Sequence, residues 1–244
     1  MERVEHLLKE SHRESVSLSA ATNAAADAGE SGNSWILPEI GDLYTMAMTM
    51  EKFIDFFESH SLEGVPQDAL DSLGDLLHAE LTCDISRDFV HGWSQYRQIV
   101  EEARWIHGVS SFSTPDIAKA IGKKVLEGTK VVLIITPDLV HTLLEGPYLE
   151  MAKDLWRYRN LKFRVSRIPV RIGLTVTDKA LSFGLFTRSG HTYDAVYDLV
   201  SRSPESLGWG ERLFAYYVEQ SEPLPRYIIK TAVASLFPGD IQEK

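Results

Sequence analysis

This chain of 244 residues lacks the sequence features that identify most enzyme classes. It contains no Gly-rich phosphate-binding loop and no Gly-x-Ser-x-Gly sequence, and its eight histidines show no pair at metal-ligand spacing. Its many acidic residues are typical of solvated faces. We therefore predict that the chain is not an enzyme, and we assign no catalytic residue, no metal site and no cofactor.

Cysteine, positive charge and long apolar runs are equally scarce. Cys83 is the single cysteine, which excludes an internal disulfide and favours a reducing compartment. No apolar run approaches the roughly 20 residues of a membrane-spanning helix, and the charged first turns are unlike a signal peptide. The net charge of −10 argues against a broad nucleic-acid surface. We expect a cytoplasmic protein with no membrane partner.

The segment 106–138 predicts a strand, a helix and a second strand, and the rest of the fold is built around this unit. Thr114 suits the N-cap of the helix and Gly128 its C-terminal end. The second strand, Val131–Thr136, begins as a continuous apolar run, which is typical of a parallel strand covered on both faces. A crossover of this length predicts that Gly108–Phe112 and Val131–Thr136 are adjacent parallel strands.

Three further strands are predicted downstream. The segment 161–168 alternates apolar and polar residues, which indicates a half-buried strand. The segments 171–177 and 180–186 are joined so closely that they form an antiparallel hairpin, and Ser203 caps the last helix. The predicted fold class is α/β, with a central partly parallel sheet, a βαβ crossover and flanking helices.

An amphipathic helix is predicted at Asp42–Ser59, with a wide stripe rich in methionine and phenylalanine. The stripe fits equally well against the helix's own domain or against a second copy of the helix in a homodimer. Both alternatives stay open. The candidate dimerisation residues are Leu43, Met46, Met50, Phe53 and Phe57.

The edge of the sheet at which the parallel strands end is the predicted ligand site, because open α/β sheets bind ligands there. Free amides at two helix N-termini suit a small polar or carboxylate-bearing effector. The alternative is that these side chains only cap helices. Thr177 and Asp178 belong to this set only if the hairpin joins the same sheet. The candidates are Ser110, Ser111, Ser113, Thr114, Thr136, Asp138, Thr177 and Asp178.

Short sequence pieces, in their order and spacing, carry a family resemblance. They are Leu37-Pro-Glu-Ile-Gly41, Gly64-Val-Pro66, Leu73-Gly74, Gly108-Val-Ser-Ser-Phe112, Gly128-Thr-Lys-Val131, Val176-Thr-Asp178, Leu185-Phe186 and Ser206-Leu-Gly-Trp-Gly-Glu-Arg-Leu-Phe214. Together they resemble the C-terminal regulatory half of the FilR-type winged-helix transcriptional regulators of methanogenic archaea.

The resemblance implies an N-terminal winged helix for DNA and a C-terminal α/β domain for sensing or dimerisation. It also implies a distant likeness to phospholipase-D-type folds. Their His-x-Lys signature is missing, since His191 is followed by Thr192 and Tyr193. Two alternatives remain: a phospholipase-D-like hydrolase with altered catalytic residues, or an interaction partner of full-length regulators.

The segment before Trp35 is shorter than a winged helix and lacks the periodicity of a recognition helix. We predict that residues 1–40 are disordered or a winged-helix remnant, residues 41–60 a linker and dimerisation helix, residues 61–224 the α/β regulatory domain, and residues 225–244 a C-terminal extension. Because few basic side chains precede an acidic domain, we expect weak and nonspecific binding of duplex DNA.

Overall fold

A computed structural model describes residues 36–83, 94–145, 148–150, 155 and 158–224. The helices in these ranges are α1 (Ile36–Lys52), α2 (Ile54–Ser59), α3 (Gln67–Asp71), α4 (Ser94–Glu102), α5 (Pro115–Leu126), α6 (Pro137–Leu143) and α7 (Pro204–Glu219). The strands are β1 (His60–Ser61), β2 (Glu80–Cys83), β3 (Trp105–Ser110), β4 (Lys130–Ile135), β5 (Leu161–Ser166), β6 (Ile172–Thr177), β7 (Leu181–Thr187), β8 (Tyr193–Ser201) and β9 (Ser221–Pro223). A short 3₁₀ helix spans Leu73–Leu76.

One mixed sheet forms the centre of the fold, with the strand order β2-β8-β7-β6-β3-β4-β5-β9 and β1 paired to β7. Strands β3, β4 and β5 are parallel, and the other pairs are antiparallel. The predicted α/β class, the parallel β3–β4 pair and the β6–β7 hairpin are therefore confirmed.

Helix caps follow the sequence closely. The hydroxyl oxygens of Thr114, Thr136 and Ser203 accept hydrogen bonds from backbone amides in the first turns of α5, α6 and α7. Each of these helices has proline just after its cap, where the fixed φ suits a helix and no amide partner is needed. Local chemistry thus fixes where the chain leaves β3 and β4.

The larger hydrophobic core lies between one face of the sheet and helices α1, α2, α3 and α7. Trp209 of α7 is fully buried there, its indole N–H donates to the carbonyl of Ala69 (2.9 Å), and its ring meets Phe183 edge-on at 5.0 Å. The phenol of Tyr217 donates to the Gly64 carbonyl (2.7 Å). These contacts fasten α7 to both the sheet and the connector before α3.

The helix predicted at Asp42–Ser59 is two helices, because the chain turns at Phe53. Met50, Phe53 and Phe57 are 1%, 3% and 0% exposed within this single chain. They pack in the core under the sheet, so they are not available to a second copy, and the interpretation of these three as dimer contacts is wrong. Met46 is half-buried and Leu43 is 36% exposed.

A second, smaller core lies on the opposite face of the sheet. It joins α4 and α5 to the strands through six buried residues, which are Val100, Ala103, Ile106, Ile121, Val125 and Val131. This core covers only the part of the face nearest the start of β3 and β4. The remaining part of the same face forms the wall of a cavity.

Some sequence predictions concern segments outside the described residues. These are the prediction that residues 1–35 are disordered or a winged-helix remnant, the predicted extension beyond residue 224, and the prediction of weak DNA binding, which depends mainly on residues 1–40. Within the ranges that the structure describes, no helix has the length and apolar character to cross a membrane.

Candidate ligand-binding cavity

The predicted site at the sheet edge is only partly reproduced. Ser110 and Ser113 line a cavity, but the Ser110 hydroxyl is engaged with the backbone of Phe112, donating to its carbonyl at 2.8 Å. The hydroxyls of Thr114 and Thr136 are occupied as helix caps. Neither threonine lines the cavity, and neither do Ser111 and Asp138.

The structure corrects the placement of Thr177 and Asp178. Their strand, β6, does join the sheet beside β3, but it runs antiparallel to β3, so Thr177 pairs with Ile106 at the beginning of that strand. Asp178 accepts a hydrogen bond from the Arg104 amide (2.7 Å) at the same end. Both side chains therefore lie at the end of the strands opposite to Ser110.

A cavity of about 660 Å³ lies against the sheet; helices α4, α5 and α6 line much of it, and Phe214 and Val218 of α7 also reach it. A volume of this size is in the range that holds small-molecule ligands. Most of its wall is apolar. The apolar lining includes Ile117, Ile121, Leu133, Ile135, Leu139 and Leu143, and the aromatic lining includes Tyr96, Phe112, Tyr148, Tyr158 and Tyr193.

One part of the wall is polar and is built by β6, β7 and β8. The phenol of Tyr193 donates to Oδ1 of Asp198 (3.0 Å), and the Ser182 hydroxyl lies 3.4 Å from Oδ2. The hydroxyls of Tyr96 and Thr175 lie 3.3 Å apart. All five side chains line the cavity. A carboxyl group supported by hydroxyls thus forms a hydrogen-bonding wall of an otherwise apolar chamber.

Two glycines make room for the Tyr193 ring. Gly173 of β6 and Gly184 of β7 are directly paired across the hairpin. A Cβ atom at Gly173 would lie 2.6 Å from the Tyr193 phenol oxygen, and one at Gly184 would approach the same oxygen even more closely. Both distances are shorter than van der Waals contact. The glycine pair is therefore what lets the ring lie flat enough on the sheet to reach Asp198.

We expect Gly184→Ala to displace Tyr193 from Asp198 and to destabilise the fold by about 1–3 kcal/mol, as an overpacked site does. Chemical denaturation followed by circular dichroism measures this loss. Gly41→Ala is the control, because a Cβ atom there meets nothing within 4 Å. Equal stability of the Gly184→Ala variant and the wild type would contradict the described packing of Tyr193.

Burial shifts the acid–base properties of the polar wall. Desolvation raises the pKa of Asp198 from 3.8 to about 6, although its bonds to Tyr193 and Ser182 act in the opposite direction. Desolvation also raises the pKa of Tyr193 and of Tyr96. Both phenols therefore stay protonated near neutral pH and can donate, whereas Asp198 changes charge within a pH range that cells experience.

Sequence reasoning missed this site because its members are far apart in the chain. One signal was present: small or polar residues alternate with large apolar ones along the hairpin. These residues, which share one face of the sheet, are Gly173, Thr175, Ser182 and Gly184. Such a face lacks the side chains that would fill the space above it, which indicates a cavity.

Several solved structures are similar to this chain, each at low sequence identity. TrmBL2, described as an archaeal chromatin protein, shares 15% identity over 86% of this chain, with a TM-score of 0.46, and this chain spans 66% of its length. Nuc from Salmonella typhimurium, a phospholipase D family member, shares 15% identity over 60% of this chain and 97% of its own, with a TM-score of 0.43. NucT from Helicobacter pylori shares 16% identity over 60% of this chain and 98% of its own, with a TM-score of 0.45.

No curated protein matches the chain. A family model does: that of the middle domain of the methanogenesis regulatory protein FilR1 matches residues 93–220, which is more than half of the chain. The matched range contains strands β3 to β8 and therefore Tyr193, Asp198 and Ser182. The chain belongs to the FilR1 middle-domain family.

Proposed function

We propose that this chain is the effector-sensing domain of an archaeal transcriptional regulator, and that it binds a small molecule in the cavity beneath α4, α5 and α6. Membership of the family supports the regulatory role. The observation that carries the sensing role is the cavity itself, which combines a volume of about 660 Å³ and a largely apolar wall with one half-buried, hydrogen-bonded carboxyl group. Such a combination fixes the orientation of a ligand.

Three elements around the cavity suggest how binding is transmitted. Helix α4 places Tyr96 against Thr175, α5 contributes Ile117 and Ile121, and α6 contributes Leu139 and Leu143. A ligand that contacts these helices stabilises the arrangement in which they close on the sheet. A ligand therefore shifts the domain toward that arrangement by its difference in affinity for the two states.

The test is saturable binding of the uncharged dye Nile Red, followed by its fluorescence. We expect one-to-one binding by the wild type and loss of binding by Ala118→Phe, because Ala118 of α5 lines the cavity and a phenyl ring there fills it. Lys119→Phe is the control: it makes an apolar change on the same helix at an exposed position outside the cavity. Equal binding by both variants would place the dye elsewhere and contradict the proposal.

A phospholipase-D-like hydrolase is the enzymatic alternative. It predicts turnover of a phosphodiester such as bis(p-nitrophenyl) phosphate. We expect no hydrolysis above the level of a heat-inactivated sample. Turnover that follows the protein through purification would favour the alternative over the sensing role.

We also propose that the chain forms a homodimer through the part of α1 that its own core leaves open. Leu43, Tyr44 and Met48 are 36%, 63% and 39% exposed and lie within two turns of the helix. Large apolar side chains grouped on a surface are typical of protein–protein contacts.

We expect Tyr44→Glu with Met48→Glu to convert a dimer to a folded monomer in sedimentation velocity. The control variant, Leu126→Glu with Val196→Glu, makes the same kind of change at two other exposed apolar positions and keeps the dimer. A wild-type protein that sediments as a monomer at micromolar concentration would rule out this interface.

A further inference from the structure

Among the residues that the structure describes, the carboxyl group of Asp198 has no cation as a partner. Other carboxylates of this domain have one: Glu102 lies 2.9 Å from Arg202, and Asp178 lies 3.9 Å from Arg104. No lysine, arginine or histidine in the described ranges pairs with Asp198, and the charge that acts on it is the carboxylate of Asp194. An ionised carboxylate in such a place is costly unless a positive group joins it.

The carboxyl group also keeps capacity to accept further hydrogen bonds. A carboxylate offers about four acceptor sites. From the described part of the chain, Oδ1 receives one bond from Tyr193, and Oδ2 has the long 3.4 Å contact with Ser182. The remaining acceptor sites and the oxygens of neighbouring hydroxyls match the three donors of an ammonium group.

The rest of the chamber suits the body of such a molecule, and its two cations lie on β5, which four other strands separate from the strand of Asp198. Lys162 and Arg164 are the cations of the lining. The guanidinium of Arg164 donates to Ser221 and to the Val218 carbonyl, and Lys162 pairs with Val132 on the other face of the sheet and is exposed. Aromatic rings near Asp198 attract cations further through their faces.

We infer that the cavity selects an amine, with an apolar body along β4, α5 and α6 and a protonated amino group paired with Asp198. The inference rests on the proposed sensing function, because it assigns the chemical class of ligand to the same cavity. It replaces the polar or carboxylate effector that the sheet edge predicts. A carboxylate-bearing ligand would set its charge against Asp198 in an apolar chamber, where repulsion is strongest.

Displacement of Nile Red by three compounds of equal chain length tests the inference. The compounds are octylamine, octanol and octanoate, used below their aggregation concentrations. For the wild type we expect octylamine to displace the dye at about a tenfold lower concentration than octanol, the size of effect that a buried charge-assisted hydrogen bond gives. We expect octanoate to be the weakest of the three.

Asp198→Asn keeps the shape of the site and removes its charge. We expect it to bring octylamine and octanol to within about twofold of each other, with octanol unchanged, because only the amine uses the charge. Asp178→Asn is the matched control: it makes the same change at a residue that pairs with Arg104 at the far end of the strands and does not line the cavity. This variant keeps the tenfold preference. Thermal melts verify that both variants are folded.

The outcomes separate this inference from the proposed function. Saturable dye binding with equal displacement by octylamine and octanol overturns the amine assignment and leaves the sensing cavity standing. Preference for octanoate overturns the assignment as well. Absence of dye binding by a folded wild-type protein overturns the proposed function. If the Asp198→Asn variant still prefers octylamine, the assignment is also overturned, because a group other than Asp198 would then pair with the amino group.

Discussion

Ile134→Asp is expected to prevent folding. Ile134 lies in the middle of β4, is 0% exposed, and packs in the main core. A carboxylate there has parallel strands on both sides and apolar side chains above it. Burying a charge without a partner costs several kcal/mol, and the whole stability of a domain is only about 5–15 kcal/mol. The variant should therefore be insoluble, or give a circular dichroism spectrum without a cooperative melt.

Two controls separate the effect of burying a carboxylate from the effects of altering position 134 and of adding a carboxylate to β4. Ile134→Val removes one methylene and is expected to cost about 0.5–1.5 kcal/mol while leaving a cooperative transition. Lys130→Asp introduces the same carboxylate into the same strand at its exposed first position, where water solvates the charge. A soluble Ile134→Asp protein that melts cooperatively would show that β4 is not a central strand.

The central unit of the fold could be predicted from the sequence because its signals are local. The apolar run of β4, the threonine caps and the prolines that follow them all act within a few residues. Handedness of the crossover then leaves one arrangement of β3 and β4. The β6–β7 hairpin was equally accessible, since only a few residues join its strands.

The surface against which an apolar helix stripe packs could not be predicted from the sequence in this way. Periodicity shows that one side of the helices at 36–59 is buried, but it does not show what covers that side. Met50, Phe53 and Phe57 turned out to contact the chain's own core. The error arose because α3, the 3₁₀ helix and α7, which supply that core, come from positions later in the chain.

The candidate site was the least predictable part, for a related reason. The direction of β6 against β3 decides which end of the hairpin approaches Ser110, and composition carries no information about direction. Asp198, Tyr193 and Ser182 meet only through the pairing of β7 with β8 and an irregularity between Gly184 and Phe186. Each of these residues alone is an ordinary member of a strand.

The difference in stability between the wild type and the Asp198→Asn variant should depend on pH in a way that identifies the desolvated carboxyl group of Asp198. The pKa of Asp198 is about 6 in the folded protein, against an ordinary value of 3.8. Well below pH 3.8 the group is protonated in both the folded and the unfolded chain. As the pH rises toward 6, the unfolded chain loses its proton first, so ionisation favours unfolding, and this penalty is complete above pH 6.

The difference in free energy of unfolding between Asp198→Asn and the wild type is therefore expected to grow in favour of the variant by about 2 kcal/mol from pH 4 to pH 8. Asparagine cannot ionise, so it has no such penalty, and it still accepts a hydrogen bond from Tyr193. The other titratable groups around the site are Tyr96 and Tyr193, whose raised pKa values keep them neutral over this range, and Asp194.

Glu102→Gln is the control with the opposite sign. Hydrogen bonds from Gln98 and Arg202 lower the pKa of Glu102, so its ionised form stabilises the fold, and this stabilisation is lost as the pH falls. The Glu102→Gln variant should therefore weaken relative to the wild type as the pH rises to about 4.5 and stay level above it, whereas Asp198→Asn gains over the same rise and beyond it. Denaturant titrations of the three proteins at pH 4, 6 and 8 measure both differences. If the two variants change in the same direction, Asp198 is not the desolvated carboxyl group of the cavity wall.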